Sequence, residues 1–302
     1  MRPLVLLCLL LASVVAVPTR RKTALPWDLD APYQDKLPRT KLYPMSAAAY
    51  ADDPRPCVKN TFGDDAEVIG STTAKCDFVG DSCFAFTVAS HVDQAIILSF
   101  RGTENSNELN QIMDQINFEH EKFVGGGKCG QWFINTFNAL WNAGVKDNFL
   151  TARNKYPGYQ VWVTGHNSGG SLASIASAYL VYTKMVSSDD LLLMTMGQPR
   201  TGDKDYADVH DKLVKHSYRI VHNRDESAHL PVKNWENYYH HGAEVWYPNM
   251  MKEDARYTVC PEGESDKCSD GDWITMNMLD DFYYFYVLTP TNKWGQSGCK
   301  PQ

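Results

Sequence analysis

The segment Val161-Trp-Val-Thr-Gly-His-Asn-Ser-Gly-Gly170 constrains this chain more than any other. A run rich in apolar and β-branched residues ends at Gly165, and a small, apolar run, Ser171-Leu-Ala-Ser-Ile-Ala-Ser-Ala-Tyr-Leu180, follows closely. The first reads as a buried strand, the second as a buried helix whose small side chains let it approach a sheet. Only a sharp turn fits between them. Glycines at 165, 169 and 170 keep Cβ atoms out of the places where strand, turn and helix crowd. Asn167 stands at the apex, and asparagine tolerates strained or left-handed backbone better than most residues. A strand–turn–helix unit of this kind belongs to a parallel sheet covered by helices.

The surrounding chain repeats the alternation. Phe84–Val88 and Ala95–Phe100 are short apolar runs around a polar break at His91-Val-Asp-Gln94, and read as adjacent strands. Residues 130–154 carry Phe133, Phe137, Leu140, Trp141, Val145 and Phe149 at helical spacing, and Tyr156-Pro157-Gly158 stops them. Tyr159–Thr164, Leu191–Met196, Tyr218–His222 and Glu244–Tyr247 read as further strands, Glu244–Tyr247 as the last. The expectation is an α/β fold with a mainly parallel central sheet and helices on both faces. It occupies one domain over residues 46–302, since no linker composition appears after residue 45. Residues 17–45, rich in proline and charge without a sustained period, read as an N-terminal arm or pro-segment.

Residues 1–16 have the form of a signal peptide. Arg2 precedes an apolar run, Leu4–Val15, too short to span a bilayer comfortably, and Ala16 with Val14 supplies a small-residue cleavage site. The expected location is therefore extracellular, with no transmembrane anchor. Of eight cysteines, Cys8 leaves with the signal, and the remaining seven should mostly pair in an oxidising compartment, with one left over. A formal charge of −7 and the absence of a basic, aromatic-lined stripe argue against nucleic acid. No cofactor motif appears. No Cys-x-x-Cys is present, and the neighbouring His240 and His241 beside a strand should point to opposite faces, so no metal site is expected.

A glycine-flanked turn between strand and helix is also the form of a nucleophile elbow, Gly-x-Ser-x-Gly, which aims a reactive hydroxyl above a sheet. Here Asn167 replaces the hydroxyl residue. From Met45 to Cys299 the chain resembles the secreted fungal-type, or class 3, lipases, α/β-hydrolases that use a Ser–Asp–His triad on acylglycerols. Four segments carry the resemblance: Ser99-Phe-Arg-Gly-Thr103, Thr164-Gly-His-Asn-Ser-Gly-Gly170, Gly197-Gln-Pro-Arg-Thr-Gly-Asp203, and the run Arg219–Pro231. The resemblance implies oxyanion-hole donors at Thr103 and Ser168, and the triad acid at Asp225. The base position falls on Asp281, just before the aromatic run Phe282-Tyr-Tyr-Phe285. Nucleophile and base are thus both substituted. It also implies disulfides Cys57–Cys299, Cys76–Cys83 and Cys260–Cys268, leaving Cys129 as the odd thiol, read as an ordinary buried residue.

The segment from Glu104 to Phe123 takes the place of the family's lid, with Leu109, Ile112, Met113, Ile116 and Phe118 as its apolar set. Without the triad, only the residual effect of an oxyanion hole and binding survives. The expected function is that of a secreted, lipase-like protein of lipid metabolism that no longer hydrolyses esters. It would bind an acylglycerol, a fatty acid, another lipid or a partner. The alternative is an active triacylglycerol lipase or carboxylester hydrolase with relocated groups. Ser168 would then be the nucleophile, and His166, His229, His240 or His241 the base. If the fold is kept, Asp225 and Asp281 should be near neighbours and share a proton or a cation.

Overall fold

The computed structural model describes residues 26–76, 82–103, 119–271 and 277–302. Its helices are α1 (Tyr43–Ala48), α2 (Arg55–Phe62), α3 (Gln131–Leu140), α4 (Lys146–Lys155), α5 (Ser168–Tyr182), α6 (Lys204–Leu213), α7 (Met278–Asp281) and α8 (Thr291–Gln296). The main sheet uses β1 (Ala66–Lys75), β2 (Ser82–Ser90), β3 (Ala95–Phe100), β6 (Gln160–His166), β7 (Leu191–Met196), β9 (His216–His222), β11 (Ala243–Tyr247) and β12 (Thr258–Cys260), in the order β1-β2-β3-β6-β7-β9-β11-β12. A smaller sheet joins β4 (His120–Lys122), β5 (Lys128–Gly130), β8 (Gly202–Asp203) and β10 (Tyr238–Tyr239).

The five strands from β3 to β11 run parallel, and the outer strands at both ends pair antiparallel. Every residue of β3, β6 and β7 is buried, as expected of strands covered on both faces. Alternate side chains enter two separate cores. Ile96, Leu98, Val161, Val163, Leu191 and Leu193 meet α3, α4 and α5 on one face. Ala95, Ile97, Trp162, Leu192, Met194 and Ile220 meet α1 and the C-terminal segment on the other.

Three local features differ from the sequence reading. The helix expected over 130–154 is broken: Gly144, at φ 150°, kinks it between α3 and α4. Glu244–Tyr247 is not the last strand, because β12 pairs antiparallel with β11, tied down by Cys260–Cys268. β1 was not foreseen at all; it is a half-exposed edge strand of small and polar residues, which carries little hydrophobic signal.

Residues of the N-terminal arm are part of the second core. Leu29, Tyr33, Leu37, Leu42 and Tyr43 are buried there, and α1 runs across residue 45 without a break. The three disulfides are Cys57–Cys299, Cys76–Cys83 and Cys260–Cys268, and Cys129 is free and buried. Cys57–Cys299 fastens α2 to the segment after α8, across 242 residues of chain. No helix among the described residues is long and apolar enough to cross a membrane.

Candidate active site

The turn between β6 and α5 is as tight as its glycines suggest. A Cβ on Gly165 would lie 2.2 Å from the Gly169 carbonyl oxygen, and one on Gly169 would lie 2.3 Å from the Phe100 carbonyl oxygen. At the apex Asn167 adopts φ 56° and ψ −131°, and is the N-cap of α5. This is a strained conformation, outside the ordinary allowed regions, of the kind the elbow imposes on its apex residue. Asn167 is fully buried.

The Asn167 amide uses both of its ends. Its Oδ1 accepts from the Ser168 backbone N–H at 2.5 Å and from Thr103 Oγ1 at 2.9 Å. Its Nδ2 donates to Ser227 Oγ at 2.9 Å and to Asp281 Oδ2 at 3.0 Å. Thr103, the adjacent pair Asn167 and Ser168, and Asp281 are therefore one hydrogen-bonded cluster. The two donors expected at an oxyanion hole both point at the side chain of Asn167.

Asp225 lies at the other side of the cluster. Its Oδ1 accepts from the Ser227 backbone N–H at 2.9 Å and its Oδ2 from the Tyr284 hydroxyl at 2.6 Å. The two carboxylates are neighbours around Gly197: a Cβ there would lie 2.7 Å from Asp225 Oδ2 and 2.9 Å from Asp281 Oδ1. Burial, reinforced by Asp281, pushes the Asp225 carboxyl well above the ordinary carboxylate range. Burial also pushes Asp281 up to about 7, against the opposing hydrogen bonds from Asn167 and Ser227. The pair thus carries fewer than two charges at neutral pH.

The histidines take structural positions. His166 Nε2 lies 2.6 Å from the Asp281 carbonyl oxygen, which can only accept, so that nitrogen carries the proton. Its Nδ1 then accepts from the Tyr50 hydroxyl at 2.8 Å. His229 Nδ1 donates to the Asp225 carbonyl at 2.8 Å, and His240 Nε2 donates to the Ala228 carbonyl at 2.7 Å. Burial lowers the pKa of all three. Ser168 Oγ is buried and has no hydrogen-bond partner among the described residues, so no base is placed to activate it. The greater part of the expected lid, residues 104–118, lies outside the described residues.

Sequence reasoning missed Tyr284, Ser227, Tyr50 and Gly197. Ser227 and Tyr284 sit two and three residues beyond the two carboxylates, and that proximity was their only signal. Chemically, the cluster offers an acid pair and two donors; the apex carries an amide in place of a hydroxyl, and the hydroxyls of Tyr284 and Ser227 are bonded to Asp225 and Asp281.

A family model described as Lipase (class 3) matches residues 97–235. A lipase of Caenorhabditis elegans is 31% identical over 303 residues, covering 90% of this chain and 84% of the relative. The lipase of Rhizomucor miehei is 31% identical over 204 residues, covering 65% of this chain and 53% of its own, so the chain spans about half the length of that fungal relative. Among solved structures, lipase II from Rhizopus niveus superposes with a TM-score of 0.74 at 24% identity, covering 84% of this chain and 95% of that one, which is a likeness of fold.

Proposed function

We propose that this chain, which belongs to the class 3 lipase family, is a secreted lipase homologue that has lost ester hydrolysis and binds an acyl lipid without turning it over. One observation carries the reading: the Asn167 carboxamide accepts both the Ser168 N–H and the Thr103 hydroxyl. Acyl transfer needs those donors free to stabilise the developing oxyanion, and a hydroxyl at the apex to create it. Asn167 supplies no nucleophile and engages the donors itself. Asp281 at the base position faces an amide N–H, from which it cannot usefully remove a proton. Three disulfides and the apolar N-terminal run support an extracellular setting.

The test is an assay of the secreted protein on short- and long-chain acyl esters beside Asn167→Ser/Asp281→His. The expected result is no turnover by the wild type and measurable hydrolysis by the double variant. Extraction of purified native protein should yield a bound acyl lipid. Wild-type turnover abolished by Ser168→Ala would establish a relocated nucleophile and end this reading.

A further inference from the structure

Asn167 followed by Ser168 is a pair with chemistry of its own. The backbone nitrogen after an asparagine can attack the carboxamide carbon and close a five-membered imide. Two things limit that step in a flexible chain. The main-chain bond to the attacking nitrogen must eclipse Cα–Cβ, and the amide must be polarised while its nitrogen is helped to leave.

The elbow meets the first condition in its resting state. Asn167 is held at ψ −131°, where its Cα–Cβ bond nearly eclipses the bond to Ser168 N. The turn fixes this conformation from both sides. Asn167 N donates to the Met196 carbonyl at 2.9 Å, and the Asn167 carbonyl accepts from Gly170 N at 2.8 Å. Ser168 N lies 2.5 Å from Asn167 Oδ1 and points its hydrogen there. The carboxamide carbon is one carbonyl bond from that oxygen, so it lies no farther than about 3.7 Å from the nitrogen. A near-attack arrangement needs about 3–3.5 Å. The N–H hydrogen already occupies the direction that a new bond to Cγ would take.

The rest of the cluster meets the second condition. Thr103 Oγ1 donates to Oδ1 at 2.9 Å and polarises the carbonyl. Nδ2, the nitrogen that would depart, is held by Asp281 Oδ2 at 3.0 Å and Ser227 Oγ at 2.9 Å. Burial raises Asp281 to about 7, so a share of this carboxyl holds a proton at neutral pH and can act as an acid. An oxygen-side donor and a nitrogen-side acid therefore flank an amide of the chain itself.

We propose that Asn167 is a modification site, where the folded elbow closes Asn167 and Ser168 into a succinimide that water opens to aspartate or isoaspartate. In the first step the bond between Ser168 N and Cγ forms. The Cγ–Nδ2 bond breaks, and its electron pair leaves with the nitrogen. The Ser168 N–H hydrogen and the two on Nδ2 leave together as ammonia, so no second reactant is consumed. In the second step one water adds across an imide C–N bond. Opening at Cγ gives aspartate, a third carboxyl beside Asp225 and Asp281; opening at the main-chain carbonyl gives isoaspartate. Full burial of Asn167 keeps bulk water away and slows the second step, so the imide accumulates.

The purified full chain is incubated at neutral pH in water enriched in heavy oxygen, both folded and unfolded in guanidinium chloride. Mass spectrometry follows the peptide that holds Asn167. In the folded chain a species lighter by one ammonia is expected to build up and then to take up one heavy oxygen. Intact asparagine should be lost at least about tenfold faster folded than unfolded, the order of the backbone freedom that the turn has already given up. Asp281→Asn keeps an acceptor for Nδ2 and removes the acid, and should slow the folded reaction at least about tenfold. Thr103→Val removes the donor to Oδ1 and should slow it as well. Should that variant fail to fold, Asp281→Asn and the ratio of folded to unfolded rates decide the matter. Loss of Asn167 no faster folded than unfolded, or a folded rate unchanged in Asp281→Asn, overturns the proposal. The masses are read whether or not ester is turned over or lipid is bound, so this outcome is separate from the test of the proposed function.

Discussion

The paired carboxylates give a pH-dependence of stability with a definite sign. In the folded chain burial raises Asp281 to about 7 from the usual 3.8, against the hydrogen bonds from Asn167 and Ser227. The native state therefore holds a proton that the unfolded chain releases between about pH 4 and pH 7, and stability falls as pH rises through that window. A gap of about 3 pKa units corresponds to a ceiling of about 4 kcal/mol, lost in full only above pH 7. Asp281→Asn keeps an oxygen to accept from Asn167 Nδ2 and removes the ionisation. Relative to wild type, the variant should gain about 2–3 kcal/mol between pH 5 and pH 8, and little below about pH 4. Urea unfolding of both proteins at the two pH values measures it. His166, His210, His229, His240 and His241 all have pKa values lowered by burial, and destabilise the fold on the acid side. Apart from His166, which touches Asp281, they do so equally in both proteins, so the difference between the two curves reports Asp281 together with the part of the Asp225 shift that Asp281 causes. Parallel stability curves for wild type and variant across that range would refute the reasoning.

Three further perturbations test the architecture. Asn167→Ala removes four buried hydrogen bonds and places alanine at φ 56°, and should cost at least about 4 kcal/mol in denaturant unfolding. Gly197→Ala sets a Cβ within 2.7 Å of Asp225 Oδ2 at a φ of +59°, and should cost at least about 2 kcal/mol and shift the acid pair's titration. Replacing Cys57 and Cys299 by serine opens a 242-residue loop and should cost about 4–5 kcal/mol, read as a lower Tm under non-reducing conditions.

How much of this was legible in the sequence follows from burial. β3, β6 and β7 are buried on both faces, so they appear as continuous apolar runs and are readable without any partner. β1 faces solvent for much of its length, and β12 has three residues held by a disulfide, so neither carries enough apolar signal to be seen. The break at Gly144 was hidden because the apolar spacing on either side of it stays in phase with one helix face. The elbow, Asp225 and Asp281 were found because their motifs are local. Tyr284 and Ser227 were not, since their importance comes only from what the fold places opposite them.

Asn167 shows how an elbow without a hydroxyl at its apex stays folded. The elbow fixes a strained backbone, two buried donors at Ser168 and Thr103, and two acceptors at Ser227 and Asp281. Alanine at the apex would leave all four unanswered, each buried group costing about 1–3 kcal/mol. An amide has an acceptor at one end and donors at the other. It satisfies both sides of the turn within one side chain. Packing alone requires the glycines, because Gly165, Gly169 and Gly197 have no room for a Cβ whatever the apex residue does. Retention of the surrounding motifs is therefore no evidence of retained hydrolysis, and only residues that touch the reacting atoms can report on it.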